Sequence, residues 1–573
     1  MRNTEIAEAF DELASLYELD GAVIYRVVAY RNAAKAIREA GVSVAELQRQ
    51  GRAEELAGVG KTIAEKIGAL LEDGSIPSAD KLKQRIPSGL IEVTRIPGLG
   101  PKRARQLHQE LGVESLEDLR KAAEQGRLKD VPGFGKKAEE NVMLALEAGA
   151  DGSAKPRVLL SQALAIGEEM VAALREHPAA LRVELAGSAR RMADTCKDLD
   201  IVAAASEPKA LTEAFASLAQ VDEVGSTGEA GARAITHSGL SVDFRIVEAG
   251  AFGNLLQHFT GSGKHNEALR SDVVKRGLHV SEYGIADDES GKTEAFETEE
   301  EVYERLGMQF IPPELRENRG ELKAARDGKL PELITEADIR GDLHMHTIAS
   351  DGRNTIAEMA EAARDHGYEY IAITDHSASH GFNNDVSPDE LKRQIERVRS
   401  LELDGITVLV GTESNVLPDG SLDYEDELLE QLDWIVASVH TSFRMAEREM
   451  TDRMVTAIEH PLVDAIGHPT GRMLGRREGY ALDIERVIEA AAKSGTFLEI
   501  NSNANRRDLP DTYARAAADA GVTLVIDSDA HGVDTLPVTL RYGIATARRA
   551  WLTKEQVANT RSWPELNELR KRS

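Results

Sequence analysis

Two aspartates stand one residue apart in the stretch GSARRMADTCKDLDIV, which covers residues 187–202. The segment KDLDIV predicts a strand. Because successive side chains of a strand point to opposite faces, Asp198 and Asp200 share one face. Two carboxylates this close repel each other unless a cation lies between them. The pair therefore predicts a site for divalent cations.

A third carboxylate, Asp243, lies in the strand-like stretch SVDFRI and could join the pair from a neighbouring strand. Three carboxylates suit two hard divalent ions, which can lower the pKa of a hydroxyl and hold a triphosphate. Ser188 and Arg191, on the turn before the pair, are placed to hold the outer phosphates. A strand end with solvated aspartates is the alternative, and the Gly-Ser and Arg-Arg context favours nucleotidyl transfer over it.

Histidines and acidic residues recur in the C-terminal part of the chain, at the ends of apolar strand-like runs. A single buried histidine is commonly a core residue, but nine such residues are hard to explain in that way. Imidazole with carboxylate suits Zn²⁺, Mn²⁺ or Fe²⁺, and a cluster of three ions suits hydrolysis of a phosphodiester. The candidates are His344, His346, Asp351, His376, Glu413, His440, His468, Asp529 and His531.

The elements that must position these residues follow two patterns. From about residue 338, apolar runs such as YIAITDH and ITVLVGTE alternate with helical runs. This alternation predicts a β/α barrel or an open parallel sheet, and catalytic groups gather at the carboxyl ends of barrel strands. Residues 157–320 mix helical stretches with short strands, and the stretch EAGADGSAKP at 147–156 predicts a linker.

Residues 1–150 have a helical pattern and carry a short repeat, LAGVGKTIAEKI, IPGLGPKRARQL and VPGFGKKAEENV. A glycine-apolar-glycine turn before a helix exposes backbone amides, which bind a phosphate without reading sequence. An ordinary tight turn is the alternative for one copy, whereas the repetition favours nonspecific contact with a DNA backbone. The candidate contacts are Gly58, Gly60, Gly98, Gly100, Lys102, Arg103, Gly133 and Gly135.

The length and composition of the chain limit its number of domains and the classes of partner that it can bind. A chain of 573 residues predicts three or more domains. The net charge of −29 argues against nucleic-acid binding by the surface as a whole, so any DNA contact must be local. The single cysteine, Cys196, excludes an internal disulfide and fits a reducing cytoplasm. No apolar run is long enough to span a bilayer, so we expect no membrane partner, and we expect a monomer.

The motifs GSARRMADTCKDLDIV, VDFRIV, FTGSGKHNEALR and YGIA together resemble the core of family X DNA polymerases, the family of DNA polymerase beta. The glycine repeats resemble the helix-hairpin-helix DNA-binding motif. The first resemblance, over residues 1–318, implies that Asp198, Asp200 and Asp243 bind two catalytic Mg²⁺ or Mn²⁺ ions. It implies nucleotide-binding roles for Gly187, Ser188, Arg191, Phe259, Gly261, Asn266 and Arg270.

Some positions depart from the family pattern. His258 stands where eukaryotic members usually carry tyrosine, and Lys197 stands where glycine is common. These changes bear on efficiency and on sugar discrimination. Lys66 matches the Schiff-base lysine that removes 5′-deoxyribose phosphate in polymerase beta. A solvated or phosphate-binding lysine is the alternative.

Residues 338–573 resemble the polymerase and histidinol phosphatase (PHP) domain, which implies a distorted seven-stranded β/α barrel with three ions, Mn²⁺ and/or Zn²⁺. This domain behind a family X core is the bacterial and archaeal arrangement. It implies a gap-filling repair polymerase with a 3′–5′ exonuclease, acting on gapped or primer-template DNA with a 5′-phosphate and on deoxynucleoside triphosphates. A nuclease or phosphatase whose polymerase half only positions DNA is the alternative. Arg472, Arg476 and Arg477 could steer the DNA backbone, with a solvated loop equally expected.

The expected domain boundaries follow from these motifs. We expect a helical, lyase-like DNA-binding domain with the first hairpin motif at 1–80 and a helical domain with the other two at 81–150. An α+β nucleotidyltransferase palm is expected at 157–248 and a thumb at 249–318. A linker at 319–337 would lead to the PHP barrel at 338–573.

Overall fold

The computed structural model describes the chain except residues 57, 88, 95, 97, 98, 133, 136–138, 140, 141, 144, 145, 147–156, 380–384 and 573, and the side chains at 24 and 39. The predicted linker at 147–156 and the candidate contacts Gly98 and Gly133 lie outside the described residues. The chain divides into two compact units. The first comprises Met1–Val158, Gln162–Leu185 and Cys196–Phe252; the second comprises Leu159–Ser161, Ala186–Thr195 and Gly253–Ser573.

The N-terminal part of the first unit is helical, as the sequence predicts. Its core is formed by apolar residues at helical spacing, among them Phe10 and Leu13, which are fully buried. Ser43 and Ser115 cap α3 and α8 by accepting backbone N–H groups, which satisfies donors that a helix start leaves unpaired. The helices are α1 (Asn3–Asp20), α2 (Ile24–Glu39), α3 (Val44–Arg49), α4 (Lys61–Asp73), α5 (Pro77–Lys83), α6 (Gly89–Thr94), α7 (Pro101–Leu111) and α8 (Leu116–Glu124).

The first unit also contains a five-stranded sheet with the order β2-β4-β7-β6-β5. Strands β4 and β7 are parallel, and the other neighbours are antiparallel. Phe215 of α11 stacks on Phe244 of β7 at 4.7 Å between ring centroids, which fixes this helix on one face. The elements are β1 (Val158–Leu159), α9 (Leu160–Arg175), β2 (Ala180–Leu185), α10 (Gly187–Arg190), β3 (Thr195–Cys196), β4 (Asp198–Ala205), α11 (Pro208–Ala216), β5 (Val221–Gly228), β6 (Gly231–Thr236) and β7 (Ser241–Val247).

Helices and a three-stranded antiparallel sheet precede the barrel. Residues 319–337, predicted to be a linker, contain α15, whose Ala325 is buried in an apolar cluster with Leu333 and Tyr303. The stretch is therefore packed, because its apolar residues are covered. The elements are α12 (Phe252–Thr260), α13 (Gly263–Val274), β8 (Leu278–Ser281), β9 (Gly284–Asp287), β10 (Lys292–Glu294), α14 (Glu299–Arg305) and α15 (Glu321–Arg326).

The C-terminal part of the second unit is a barrel of seven parallel strands in sequence order, β11 to β17. Met345 bridges to Ala530 in parallel fashion, which brings the last strand back to the first. The predicted seven-stranded barrel is confirmed, and the open-sheet alternative is wrong. The strands are β11 (Gly341–Met345), β12 (Tyr370–Ile373), β13 (Thr407–Asn415), β14 (Trp434–Ser438), β15 (Ala465–Ile466), β16 (Phe497–Asn501) and β17 (Leu524–Asp527).

Side chains on both faces of the barrel strands are buried, which explains why the strands are nearly continuous apolar runs. Inside, Trp434 stacks on Phe497 at 5.9 Å and fills the barrel floor. Helices α16 to α23 alternate with the barrel strands or follow them, and Leu566 of α23 packs with the side chains inside the barrel. The helices are Ile356–His366, Pro388–Arg399, Asp426–Leu429, Glu447–Glu459, Ile484–Ser494, Asp511–Asp519, Leu536–Arg549 and Trp563–Leu569. Among the described helices, none combines the length and apolarity needed to cross a bilayer.

Candidate active sites

The three aspartates predicted for nucleotidyl transfer lie on one face of the five-stranded sheet. In the parallel pairing of β4 with β7, Asp200 lies directly beside Asp243, and Asp198 lies beside Ser241. Along β4, Leu199 is buried while the two aspartates are half-buried. The alternation of side chains thus brings the three carboxylates together at the start of two neighbouring strands.

A cavity of about 350 Å³ borders this face and is lined by Asp198 and Asp243. Arg245 Nε lies 2.8 Å from Asp243 Oδ1, and Arg233 Nη2 lies 3.2 Å from Oδ2, so two arginines balance this carboxylate. Oxygen ligands are those that Mg²⁺ and Mn²⁺ prefer. Outside the barrel, the described residues place no three ligand atoms within 4.8 Å of one another. The three carboxylates are thus the ligand type for two hard ions, although Asp243 is paired with two arginines in this structure.

The residues predicted to hold the triphosphate lie in the second unit, at α10. Gly187 has a φ of 61°, a conformation that glycine adopts without a steric penalty. Ser188 is half-buried. The guanidinium of Arg191 donates from Nε to Glu317 at 3.0 Å and from Nη1 to the carbonyl of Thr260 at 2.8 Å. Phosphate binding by Arg191 stays a prediction, because these two partners already fix its side chain.

The four residues predicted to contact the sugar and the base pair meet where α12 ends and α13 begins. A Cβ at Gly261 would stand 2.4 Å from Asn266 Oδ1, so a larger residue there would displace the Asn266 side chain. Asn266 donates to the carbonyl of His258 at 2.7 Å, and Arg270 donates to the carbonyl of Asn266 at 3.1 Å. Phe259 immediately precedes this turn. The cluster is a local unit, and its nucleotide contacts stay a prediction.

The glycine repeats precede helices as expected where they are described. Gly60 and Gly100 are the N-cap residues of α4 and α7, and neither a Cβ there nor one at Gly135 would meet another atom within 4 Å. Gly58 has a φ of 87°. This open space lets a phosphate approach the backbone amides.

The cations of the second repeat lie on α7. The side chain of Lys102 is exposed, and Arg103 stacks on Phe134 at 5.3 Å. Lys66, on α4, donates from Nζ to Ser78 Oγ at 3.1 Å and lies 5.9 Å from the ring centroid of Tyr30. Its Schiff-base role stays a prediction.

The histidines and acids predicted to bind metal converge on one rim of the barrel. Each lies at or just beyond the carboxyl end of a strand, where a β/α barrel gathers its functional groups. In three groups, ligand atoms lie within 4.8 Å of one another. These groups are His346, Asp351, His376 and His531; His344, His346 and Asp529; and His376, Glu413 and His440.

The three groups overlap, which suggests ions that share ligands. His346 and His376 each belong to two groups. Glu413 lies centrally: its oxygens are 2.7 Å from His376 Nδ1, 3.2 Å from His440 Nε2 and 2.9 Å from His468 Nε2. The last contact brings the ninth predicted residue to the same rim.

Buried polar atoms at the rim lack the hydrogen bonds that a metal-free protein needs. Within the described part of the chain, both ring nitrogens of His346, Nε2 of His344 and Oε2 of Glu413 are buried without a well-directed hydrogen bond. Leaving such an atom unpaired costs about 1–3 kcal/mol. Imidazole nitrogens and carboxylate oxygens are the ligands that Zn²⁺ and Mn²⁺ bind. The donor set therefore fits divalent metal ions.

The pKa values of several rim residues are shifted because their imidazoles and carboxylates are buried close together. Burial, and then the charges of His531 and His376, lowers the pKa of His346 to about 3. Burial also opposes the charged form of His376, but the carboxylates of Glu413 and Asp351 outweigh it and raise its pKa to about 10. The pKa of Glu413 is held well below its usual range, because the histidines around it outweigh its burial. His346 is thus held as the neutral imidazole that binds metal, whereas His376 must lose a proton when a metal ion binds.

Two residues that the sequence did not identify orient these ligands. Glu499, in β16, lies 2.6 Å from His344 Nδ1 and also accepts the backbone N–H of His468. Asn501 donates to Asp529 at 3.1 Å. Such outer partners fix the ring orientation and tautomer of metal-ligating histidines. The signal was present in the strand TFLEINS, whose glutamate stands near a strand end like Glu413.

The cation that faces the rim differs from those the sequence suggested. Arg472 donates to the carbonyl of Arg506 at 2.9 Å and pairs with Asp194 at 3.0 Å, so it is held within the protein. Arg477 donates to a backbone carbonyl and stacks on a phenylalanine ring, and Arg476 is exposed. Arg506 instead points its guanidinium at the ligands.

Four family models match segments of the chain. Residues 1–76 match a helix-hairpin-helix domain and 90–148 a SAM-like helix-hairpin-helix tandem. Residues 255–317 match the DNA polymerase beta thumb, and 342–503 match the PHP domain. The chain is 37% identical to the DNA polymerase/3′-5′ exonuclease PolX of Bacillus subtilis (strain 168) over 577 aligned residues, which cover 100% of both chains.

The chain belongs to the family X DNA polymerases with a C-terminal PHP domain. The resemblance seen in the sequence is thus confirmed. Two shorter relatives of this family X member each match about a third of its chain. A probable phosphatase of Acetivibrio thermocellus is 33% identical over 33% of this chain and 78% of its own length. A second, from Caldanaerobacter subterraneus, is 35% identical over 33% of this chain and 75% of its own length.

Proposed function

We propose that this protein is a DNA repair polymerase that fills short gaps and trims 3′ ends with its own 3′–5′ exonuclease. The observation that carries the proposal is the full-length relationship to a polymerase/exonuclease, together with both sets of candidate ligands. Polymerisation would use the aspartates of the first unit, and hydrolysis would use the barrel rim. The single cysteine, Cys196, is buried, and we place the protein in a reducing cytoplasm, as a monomer.

In the polymerase reaction, Asp198, Asp200 and Asp243 would bind two ions, Mg²⁺ or Mn²⁺. Those ions, when bound, supply positive charge that favours a deprotonated 3′-hydroxyl and stabilises the triphosphate. The family resemblance implies that Asp243 would accept the proton of the primer hydroxyl, and Asp243 lies beside Asp200 on the neighbouring strand. That oxygen then bonds to the α-phosphorus of the incoming nucleotide, and pyrophosphate leaves.

In the exonuclease reaction, the rim residues would hold three ions, Mn²⁺ and/or Zn²⁺. The ions would polarise the phosphodiester and favour deprotonation of the attacking water. Glu499 and Asn501 keep the ligands His344 and Asp529 in fixed orientations. The floor of the barrel, closed by Trp434 and its neighbours, limits the site to one open side.

Contact with DNA would be made by the glycine turns and α7. We expect the affinity for gapped duplex DNA to fall as salt rises, because phosphate contacts release counterions. Lys102→Ala should reduce the slope of log K against log salt by about one. Lys209→Ala, which removes an exposed lysine of α11, is the matched control and should leave the slope unchanged. Fluorescence anisotropy at several salt concentrations measures both, and a flat salt response would contradict backbone-dominated binding.

One experiment separates this proposal from a nuclease or phosphatase that only positions DNA with its polymerase half. The substrate is a duplex with a one-nucleotide gap, a 5′-phosphate and a labelled primer, incubated with Mn²⁺ and the four deoxynucleoside triphosphates. We expect extension by one nucleotide, and release of nucleotides from the 3′ end when triphosphates are omitted. Release without any extension would favour the positioning role.

A further inference from the structure

Arg506 is a cation at the metal-binding rim that has no role in the reactions described above. It lies in the turn after β16, and its Nε is 3.5 Å from Oδ2 of the candidate ligand Asp529. Its side chain is 20% exposed, so it borders both the rim and the solvent. Among the described residues, Asp529 is the acid within ion-pair distance of this guanidinium.

The turn that carries Arg506 is held in place by its neighbours. The backbone N–H of Arg506 donates to Asn503 at 2.8 Å, and its carbonyl accepts from Arg472 at 2.9 Å. Arg507, the next residue, is fully buried and donates to Thr546 Oγ1 at 3.0 Å. A fixed backbone limits the entropy that the Arg506 side chain loses when it binds a ligand.

The positive charge at and around Arg506 favours the binding of an anion. Arg506 brings one positive charge to the rim, 3.5 Å from Asp529. Divalent ions bound at the rim would add several more positive charges nearby. Like charges in a partly buried site repel strongly because solvent screens them little. Such an arrangement is stable when a negative group lies between the guanidinium and the ions.

We propose that Arg506 binds the phosphate of the nucleotide to be released and stabilises the charge that develops on it during hydrolysis. This inference rests on the proposed exonuclease. In that reaction, a water oxygen bonds to the phosphorus, and the bond from phosphorus to the 3′-oxygen of the preceding nucleotide breaks. The water proton goes to that 3′-oxygen, which becomes the new hydroxyl terminus. The guanidinium donates to the phosphate oxygens throughout.

The geometry of the side chain makes arginine difficult to replace. A planar guanidinium can donate two parallel hydrogen bonds to a phosphate, whereas a lysine ammonium acts as a point charge. We therefore expect Arg506→Lys to keep part of the phosphate affinity and Arg506→Ala to lose most of it. A purely structural role would not produce this order.

The test uses the full-length protein loaded with Mn²⁺, with inorganic phosphate as the probe. Isothermal titration calorimetry should show phosphate binding weakened at least ~10-fold in Arg506→Ala and by less in Arg506→Lys. The kcat/KM for nucleotide release should fall about 10²-fold in Arg506→Ala. Metal content by mass spectrometry and gap filling should stay at the wild-type level. Arg448→Ala, which removes a 90% exposed arginine, is the matched control and should match wild type in all four measurements.

Three outcomes would overturn the inference. They are unchanged phosphate affinity in Arg506→Ala, no phosphate binding by the wild type, and loss of metal from the variant, which would assign Arg506 to the metal site itself. A different result would contradict the proposed function without contradicting this inference. If the wild type releases no nucleotide but its phosphate binding still depends on Arg506, the exonuclease is wrong and the phosphate site stands.

Discussion

Asp243→Asn should abolish gap filling while leaving release of nucleotides from the 3′ end at the wild-type rate. The substitution keeps the size of the side chain but removes the charge that would hold an ion and accept the primer proton. We expect nucleotide addition to slow by on the order of 10³-fold, as when a group that stabilises the transition state is lost. Single-turnover extension of a gapped duplex measures this effect.

The matched control for that experiment is Asp222→Asn. Asp222 is an acid of the same sheet, on β5, and its partner is His237 at 3.2 Å. Its loss should change extension less than twofold. Extension by Asp243→Asn at a near-normal rate would show that the three aspartates do not form the polymerase site. A loss of both activities would instead indicate misfolding, which circular dichroism would reveal.

Asp529→Asn should have the opposite effect, removing the exonuclease and leaving gap filling intact. Asp529 lies 3.2 Å from His346 Nε2 and 3.9 Å from His344 Nε2, and it is nearly fully buried. A neutral amide there binds divalent ions more weakly and leaves neighbouring histidines without their acidic partner. We expect nucleotide release to fall by ~10³-fold or more. Bound metal should fall as well.

Asp534→Asn is the control for the barrel. Asp534 lies in the loop that follows Asp529, but it is 64% exposed and pairs with Arg353. We expect normal exonuclease activity and normal metal content in this variant. If Asp529→Asn lost gap filling together with the exonuclease, the two sites would not be independent.

The sequence could indicate where the candidate ligands lie because period-two patterns and strand ends are local features. The alternation in KDLDIV places Asp198 and Asp200 on one face, and the parallel register of β4 with β7 then sets Asp243 beside them. The rim residues follow apolar runs in the same way. In both cases, neighbouring residues in the chain determine the direction of the side chain.

Features that depend on tertiary contacts could not be predicted in this way. Whether the C-terminal strands close into a barrel depends on the pairing of the last strand with the first, which no local pattern encodes. Arg506 follows an irregular turn, so its direction is set by contacts with Arg472 and other distant residues. The helix α15, in the stretch predicted to be a linker, is hard to recognise from sequence because its charged residues hide the few apolar positions that pack.

The central claim is that the barrel rim gathers three divalent ions at a site separate from the polymerase aspartates. Anomalous diffraction from crystals of the full-length protein grown with Mn²⁺ tests it most directly. The account predicts three peaks at the rim, each about 2.0–2.3 Å from nitrogen or oxygen atoms of one of the three ligand groups. A rim without peaks, while Mn²⁺ binds elsewhere in the same crystal, would contradict it.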